Sequence, residues 1–178
     1  MIKLRNIILN ENSIFVPRRN REDRAKNWKA AIYKQIQAYI RNGSSGDLNL
    51  SNSPIERLPD NLKRAGGDLD LENTKITSLP DDLSVDGNLW LGNTPIANLP
   101  NNLHVGGYLD LKNTKITSLP NNLHVGGNLD LSNTPITSLP NNLRVGGDLW
   151  LIGTPLSIKY TQKQIRAMVP HVRGDIYI

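Results

Sequence analysis

Leucine alternates with other residues in a short segment that occurs six times along the chain. The segment has the form Gly-x-Leu-x-Leu, as in Gly127-Asn-Leu-Asp-Leu131. Both of its leucines lie on one face of an extended chain, because successive side chains of a strand point to opposite sides. A strand this short cannot bury its apolar face alone, so the pattern predicts a stacked repeat protein. The first leucine of each copy is Leu48, Leu69, Leu89, Leu109, Leu129 and Leu149, spaced by 21 residues once and by 20 four times.

The rest of each repeat adds apolar residues at constant offsets. The middle copies follow the pattern Gly-x-Leu-x-Leu-x-Asn-Thr-x-Ile-x-x-Leu-Pro-x-x-Leu-x-Val-Gly. Stacked copies would align these side chains into ladders, whose burial, at about 25 cal/mol per Å² of apolar surface, would be the main stabilising interaction. Proline disfavours a helix after the turn, so we expect an extended or 3₁₀ return segment.

A helix is predicted from about residue 21 to residue 41, ahead of the repeats. Its apolar residues recur at spacings of three and four and form one face: Trp28, Ile32, Ile36, Tyr39 and Ile40. The open end of a solenoid must be covered to stay soluble, so we expect residues 1–45 to form an N-terminal cap whose apolar face lies on the first strand. A helix on a membrane surface is the alternative interpretation.

The pattern changes after residue 156. Thr161-Gln-Lys-Gln164 has the sequence of a helix capping box, and a short apolar stripe follows it. Val172–Ile178 then matches Val145–Leu151 position for position. We therefore expect residues 157–178 to form a C-terminal cap that contains a short helix and a seventh strand.

Leu109-Asp-Leu-Lys-Asn-Thr-Lys-Ile116 shows the motif of one repeat. It resembles the leucine-rich repeat, L-x-x-L-x-L-x-x-N-x-L, with glycine for the first leucine and threonine in the asparagine position. The short copies with Leu-Pro and Val-Gly-Gly are similar to arrays of secreted bacterial effectors and of bacterial and phage-encoded proteins. The resemblance covers six repeats, residues 46–156. It implies an α/β repeat fold, a right-handed solenoid with a parallel sheet on its concave face, an extended or 3₁₀ convex side and a helical N-terminal cap.

The threonines of the repeat are expected to replace the family's asparagine ladder. A threonine hydroxyl both donates and accepts hydrogen bonds, so it could satisfy buried backbone groups at this position. The threonines concerned are Thr74, Thr94, Thr114 and Thr134.

Charge is distributed unevenly along the chain, which carries a formal net charge of +5. Residues 1–45 have a net charge of +7, residues 46–156 of −5 and residues 157–178 of +3. The absence of cysteine excludes disulfides and thiolate chemistry and favours a reducing compartment. The first residues do not have the sequence of a signal peptide, and no apolar stretch is long enough to span a membrane. We expect a cytoplasmic protein, in the cytoplasm of the host cell if it is phage-encoded or an effector, with no membrane partner.

The residues between the leucines are expected to face solvent on the concave side, and they differ between copies. Folding alone does not require tryptophan there, and exposed aromatic residues surrounded by charge are typical of binding hot spots. Two aromatic sites are predicted, Trp90 beside Tyr108 and Trp150 beside Tyr177, and Gly92 would leave room beside Trp90. Alternatively, Trp150 packs under the C-terminal helix, or Trp90 only stacks on its neighbours. The predicted partner-binding residues are Trp90, Tyr108, Asp70, Asp110, Asp130, Trp150, Tyr177 and Lys112.

Neighbouring carboxylates on these strands also fit a cation site or an acid–base pair. The sequence contains no phosphate loop, zinc motif or nucleophile paired with a base at a meaningful spacing. The three histidines, His104, His124 and His171, are expected to lie away from the carboxylates. We therefore expect no enzymatic activity, no cofactor and no metal.

The sequence favours a non-enzymatic protein-binding module, an inhibitor or adaptor that binds a host or bacterial protein with a basic surface. The alternative is a nucleic-acid-binding protein, because basic residues cluster around the start of the predicted helix and would attract phosphates. The same residues would otherwise form a solvated helix face or a second protein contact. They are Arg18, Arg19, Arg21, Arg24, Lys26 and Lys29.

Overall fold

The structure is a computed structural model that describes the backbone of residues 21–178 and the side chains from residue 27 onward. The chain forms a solenoid of stacked repeats, spaced by about 20 residues, between two helical ends. Helix α1 (Arg21–Arg41) precedes the repeats, and helices α2 (Pro155–Lys159) and α3 (Gln162–Met168) follow them. The bounds of α1 agree with the predicted helix. None of the helices in this part of the chain is long and apolar enough to cross a bilayer.

The described residues contain twelve strands of two residues each. In chain order they are β1 (Leu48–Asn49), β2 (Arg64–Ala65), β3 (Leu69–Asp70), β4 (Ser84–Val85), β5 (Leu89–Trp90), β6 (His104–Val105), β7 (Leu109–Asp110), β8 (His124–Val125), β9 (Leu129–Asp130), β10 (Arg144–Val145), β11 (Leu149–Trp150) and β12 (Ile176–Tyr177).

Two parallel sheets are formed by these strands. The larger has the order β1-β3-β5-β7-β9-β11-β12, and the smaller has the order β2-β4-β6-β8-β10. Equivalent residues of successive repeats pair directly, as Leu109 does with Leu129. The predicted seventh strand is confirmed, because Leu149 pairs with Ile176 and a separate bridge joins Val145 to Val172.

The return segments are extended, and residues 46–154 contain no helix. Their association into a regular second sheet was not predicted. Each strand of this sheet turns one residue inward and leaves the residue before it partly or fully exposed, as in His104–Val105. The constant spacing of the repeats brings equivalent residues side by side, so their backbone groups bond to the next repeat.

The core lies between the two sheets and consists of the apolar ladders that the repeat pattern predicts. The leucines of both strand positions are buried in every repeat, and so are the valines of the return segment. Burial of these ladders is the largest stabilising contribution to the fold.

The threonines of the repeat satisfy buried backbone carbonyls, as expected. Each hydroxyl donates to the carbonyl of the leucine three residues earlier, at 2.6–2.7 Å, and each side chain is buried. Thr154 makes the same contact with Leu151. This hydrogen bond closes the turns after β3, β5, β7, β9 and β11, whereas Ser53 occupies the position after β1.

The residue before the serine or threonine of this turn is asparagine in five of the six repeats, and it has a backbone requirement of its own. Asn52, Asn73, Asn93, Asn113 and Asn133 all have φ of 57–59°, a left-handed conformation that asparagine tolerates better than most residues. The side chains also bond along the stack, and Asn133 Nδ2 donates to Asn113 Oδ1 at 3.0 Å. The recurring asparagine therefore serves the turn.

Helix α1 covers the first repeat. Ile32 and Ile36 are buried, while Tyr39 and Ile40 pack at the edge of the core. The Tyr39 hydroxyl accepts the Gly66 N–H at 3.2 Å, which fastens the helix to the array. The predicted inclusion of Trp28 in the buried face is wrong: its side chain is 54% exposed, because none of residues 27–31 is buried and the packed contact begins only one turn later.

The C-terminal end is closed by the predicted capping box and by contacts from α3. Thr161 and Gln164 exchange side-chain-to-backbone hydrogen bonds at the helix start. On the same helix Ile165 is buried, and Arg166 donates to the carbonyls of Val172 and Gly174 at 2.6 and 2.5 Å. These contacts hold the final strand against the array.

Replacing Thr114 by valine should destabilise the fold by about 1 kcal/mol, because the buried hydrogen bond to Leu111 is lost while the shape is kept. The exposed Thr117 of the same repeat provides the control, and Thr117→Val should change the free energy of unfolding by less than about 0.5 kcal/mol. Urea denaturation followed by circular dichroism measures both. Equal effects of the two substitutions would contradict a structural role for the buried hydroxyl.

Candidate functional site

Four aromatic side chains on the larger sheet form one continuous row, which we call the aromatic row: Trp90, Tyr108, Trp150 and Tyr177. The rings of Trp90 and Tyr108 meet edge to face at 4.9 Å, and those of Trp150 and Tyr177 stack at 5.5 Å. Tyr108 also meets Trp150 edge to face at 6.4 Å, so the two predicted aromatic sites are joined.

The strands of the larger sheet position this row. Trp90, Trp150 and Tyr177 are the second residues of β5, β11 and β12, and Tyr108 directly precedes β7. The first three rings from the N-terminal side are half-buried, while Tyr177 is 42% exposed. Ile152, which the sequence analysis did not include in the site, is half exposed on the same face, two residues after Trp150. Trp90 meets its neighbouring ring edge to face rather than by stacking, and the alternative interpretation stays a prediction.

In the other repeats, the side chain at the position of Trp90 and Trp150 accepts a hydrogen bond from the backbone of its own repeat. Asn49, Asp70 and Asp130 each accept, through the side-chain oxygen, the backbone N–H of the residue two positions later, at 2.7–3.0 Å. Asp110 does the same for Lys112 at 2.8 Å. A tryptophan has no acceptor, so the two tryptophan repeats lack this hydrogen bond.

At the position of Tyr108, the polar side chains of other repeats accept a hydrogen bond from the backbone of the next repeat. In this row the side-chain oxygen of one repeat accepts the backbone N–H of the equivalent residue in the next repeat, at 2.7–2.8 Å. The acceptors are Asp47, Asp68, Asn88, Asn128 and Asp148. A tyrosine hydroxyl lies too far from its own backbone to replace them. Three of the four aromatic residues thus occupy positions where a polar residue would hold the backbone.

Carboxylates lie directly beside the aromatic row. Asp110 is nearly fully buried next to Asp130, and the Tyr108 hydroxyl donates to Asp130 Oδ2 at 3.4 Å. Burial, together with the charges of Asp130 and Glu72, raises the pKa of Asp110 to about 6, although the Lys112 N–H opposes the shift. Burial and the neighbouring carboxylates also raise the pKa of Tyr108, so its hydroxyl stays protonated.

Gly92 does not open a pocket beside Trp90. A Cβ at this position would lie 3.0 Å from Asp110 Oδ2 and 3.5 Å from Glu72 Cγ. The space is therefore occupied by the Asp110 carboxyl group, and the glycine accommodates that buried carboxyl. Lys112, the one basic residue among the predicted partner-binding residues, has an exposed side chain.

The basic N-terminal residues are only partly covered by the structure. Arg18 and Arg19 lie outside the described residues, and Arg21, Arg24 and Lys26 belong to α1 without described side chains. Lys29 forms an ion pair with Glu56 at 2.8 Å, which links the helix to the first repeat. That side chain therefore serves the cap, and the nucleic-acid alternative stays a prediction.

No group of three or more histidine and acidic side chains within residues 27–178 is arranged to hold a metal ion. His104 and His124 lie on β6 and β8 of the smaller sheet, with their rings edge to face at 5.5 Å. These two histidines thus lie on the other sheet from the carboxylates beside the aromatic row.

No protein-family model matches the chain, and no curated protein matches its sequence.

The buried Asp110 carboxyl makes stability depend on pH. Its folded-state pKa of about 6 exceeds the ordinary value of 3.8, so the folded state binds the proton more tightly and the free energy of unfolding falls as pH rises from about 4 through 6. Asp110→Asn keeps the acceptor for the Lys112 N–H and removes the charge. The variant should be more stable than the wild type at pH 7.5. Between pH 7.5 and pH 5 the wild type should gain roughly 1 kcal/mol of stability by protonation of Asp110, and the variant should lack this gain.

Thermal and urea denaturation at the two pH values measure this difference. Asp47→Asn is the matched control, because Asp47 is exposed and makes a similar bond to a backbone N–H. An Asp110→Asn variant with an unchanged pH dependence would contradict the assignment.

Proposed function

We propose that the protein is a non-enzymatic binding module that holds a partner protein on the aromatic row and its neighbouring carboxylates. The observation that carries this proposal is the replacement of backbone-bonding polar residues by Trp90, Tyr108 and Trp150. Each replacement removes a hydrogen bond that the other repeats keep, and such a bond typically contributes about 1 kcal/mol. Selection for the fold alone would not favour this loss at three positions on one face of the sheet.

The chemistry of the row indicates the kind of partner. Tryptophan and tyrosine are the residues that most often dominate binding energy at protein interfaces. Asp70, Glu72, Asp110 and Asp130 give the surrounding face a negative charge. Lysine or arginine side chains of a partner would find both ring faces for cation–π contacts and carboxylates for ion pairs. A basic partner surface fits this arrangement, and the association should weaken as salt rises.

We further propose that the array is a leucine-rich repeat, wound right-handed with the larger sheet on its concave side. The repeat motif and the in-register parallel strands support this assignment. With the resemblance to short bacterial and phage-type repeats, it favours an inhibitor or adaptor that acts in the cytoplasm on a host or bacterial protein. A crystal structure tests the winding directly, and a left-handed coil would contradict the family assignment.

The binding proposal predicts that the double variant Trp90→Asn and Trp150→Asn stays folded but loses its partner. Asparagine fulfils the structural task at the equivalent Asn49, so it restores the local hydrogen bond while removing the rings. Each hot-spot tryptophan should contribute at least about 2 kcal/mol to binding. The measurement is affinity capture from native cells, followed by titration of the purified partner with each variant.

Trp28→Asn is the control, because Trp28 is an exposed tryptophan outside the aromatic row. Partner retained by the wild type and by Trp28→Asn, but not by the double variant, supports the proposal. Equal retention by all three proteins would overturn it. Salt-sensitive binding of random DNA or RNA, abolished by replacing Arg18 and Arg19, would instead favour the nucleic-acid alternative.

A further inference from the structure

A cavity of about 470 Å³ lies at the C-terminal end of the smaller sheet, away from the aromatic row. Four basic side chains line it: His124, Arg144, His171 and Arg173. Its floor is backbone at Gly126 and Gly146, and Pro170 forms part of its wall. Nothing in the fold requires four basic side chains to share this space.

The repeat register shows how the arginines come together. His171 and Arg173 flank Val172, which bridges to Val145, so they occupy the places of Arg144 and Gly146 one repeat further on. At the other end of the same sheet, Arg64 is the equivalent of Arg144. Arg64 pairs with Ser84 of the following repeat and forms an ion pair with Asp86, two residues after Ser84. Beside Arg144, the residue in the place of Asp86 is Arg173, two residues after His171.

Arg64 therefore has a carboxylate beside it, whereas its equivalent Arg144, at the C-terminal end, has a second arginine beside it. Within residues 27–178 the ion pairs are Lys29–Glu56 and Arg64–Asp86, so neither Arg144 nor Arg173 has a carboxylate partner there. Both side chains are exposed at the cavity. Two neighbouring guanidinium groups without a counter-ion attract an anion.

The glycine floor keeps this space free of side chains. A Cβ at Gly126 would lie 2.1 Å from the Gly106 carbonyl oxygen, and one at Gly146 would lie 2.0 Å from that of Gly126. No larger residue fits at either place. The two glycine N–H groups already donate to Val105 and Val125 at 2.8 and 2.9 Å, so an anion in the cavity would be held by the arginine and histidine side chains.

We propose that this cavity binds a phosphoryl group, either as free phosphate or on a small phosphorylated molecule. A guanidinium offers two parallel N–H donors that match two oxygens of a phosphoryl group, and Arg144 and Arg173 together present two such forks. His124 and His171 supply ring N–H donors from neighbouring positions. The volume accommodates the phosphoryl group and a small attached moiety.

This site is independent of the proposed protein-binding surface, because its arginines and histidines belong to the smaller sheet and the C-terminal cap. Failure of one proposal therefore leaves the other unaffected.

Isothermal titration of the full chain with inorganic phosphate, at constant ionic strength, tests the proposal. The wild type should show saturable binding that sodium chloride at the same ionic strength does not reproduce. Arg144→Gln and Arg173→Gln should each weaken it at least tenfold. Arg173→Asp, which recreates the pairing of Arg64 with Asp86, should abolish it. Circular dichroism spectra that match the wild type show that these variants are folded.

Arg64→Gln is the matched control, since Arg64 occupies the equivalent place in the row but has its own counter-ion, and it should leave phosphate binding unchanged. A parallel titration with glycerol 3-phosphate separates the two sources: tighter binding than phosphate assigns the site to a phosphorylated molecule, and weaker binding assigns it to free phosphate. The absence of saturable binding, or equal weakening by Arg64→Gln and Arg144→Gln, would overturn the proposal.

Discussion

The structure depends on the direct pairing of equivalent residues in successive repeats. Every strand is only two residues long, so no strand is stable without the next one in register. The pairing of Leu69 with Leu89 and of Val85 with Val105 fixes both sheets at the same time. Once the register is set, the apolar ladders fill the interior and the threonine hydroxyls close the turns. A residue's place in the repeat then determines its neighbours along the whole array.

This constraint explains why the fold could be predicted so far from the sequence. The two leucines of each strand, the threonine and the return valine repeat at constant offsets, and a constant offset becomes a ladder in the structure. The final strand was recognisable because Val172–Ile178 repeats the pattern of Val145–Leu151. The second sheet was missed, because a valine preceded by a variable residue gives no alternation long enough to indicate a strand.

The site was predictable in its residues but not in its organisation. The aromatic residues stood out as departures from the repeat, yet the contact between Tyr108 and Trp150 crosses an intervening strand and depends on ring orientation. The backbone-bonding tasks of the aspartates and asparagines were also missed, although Asp or Asn recurs at both positions. Trp28 was misplaced because helical spacing shows which residues share a face, and it does not show where the surface beneath that face ends.

The constant register also makes the array a molecular ruler. Leu99–Gly107 and Leu119–Gly127 are identical in sequence, so a whole repeat between them could be gained or lost by recombination without disturbing the ladders. Each such event would move everything beyond it by one strand spacing, about 4.8 Å. The distance from Trp90 to Trp150, and that from helix α1 to Arg144 and Arg173, would then change by whole strand spacings. The number of repeats thus sets the distance between the sites at the two ends of the array without changing the residues that form them.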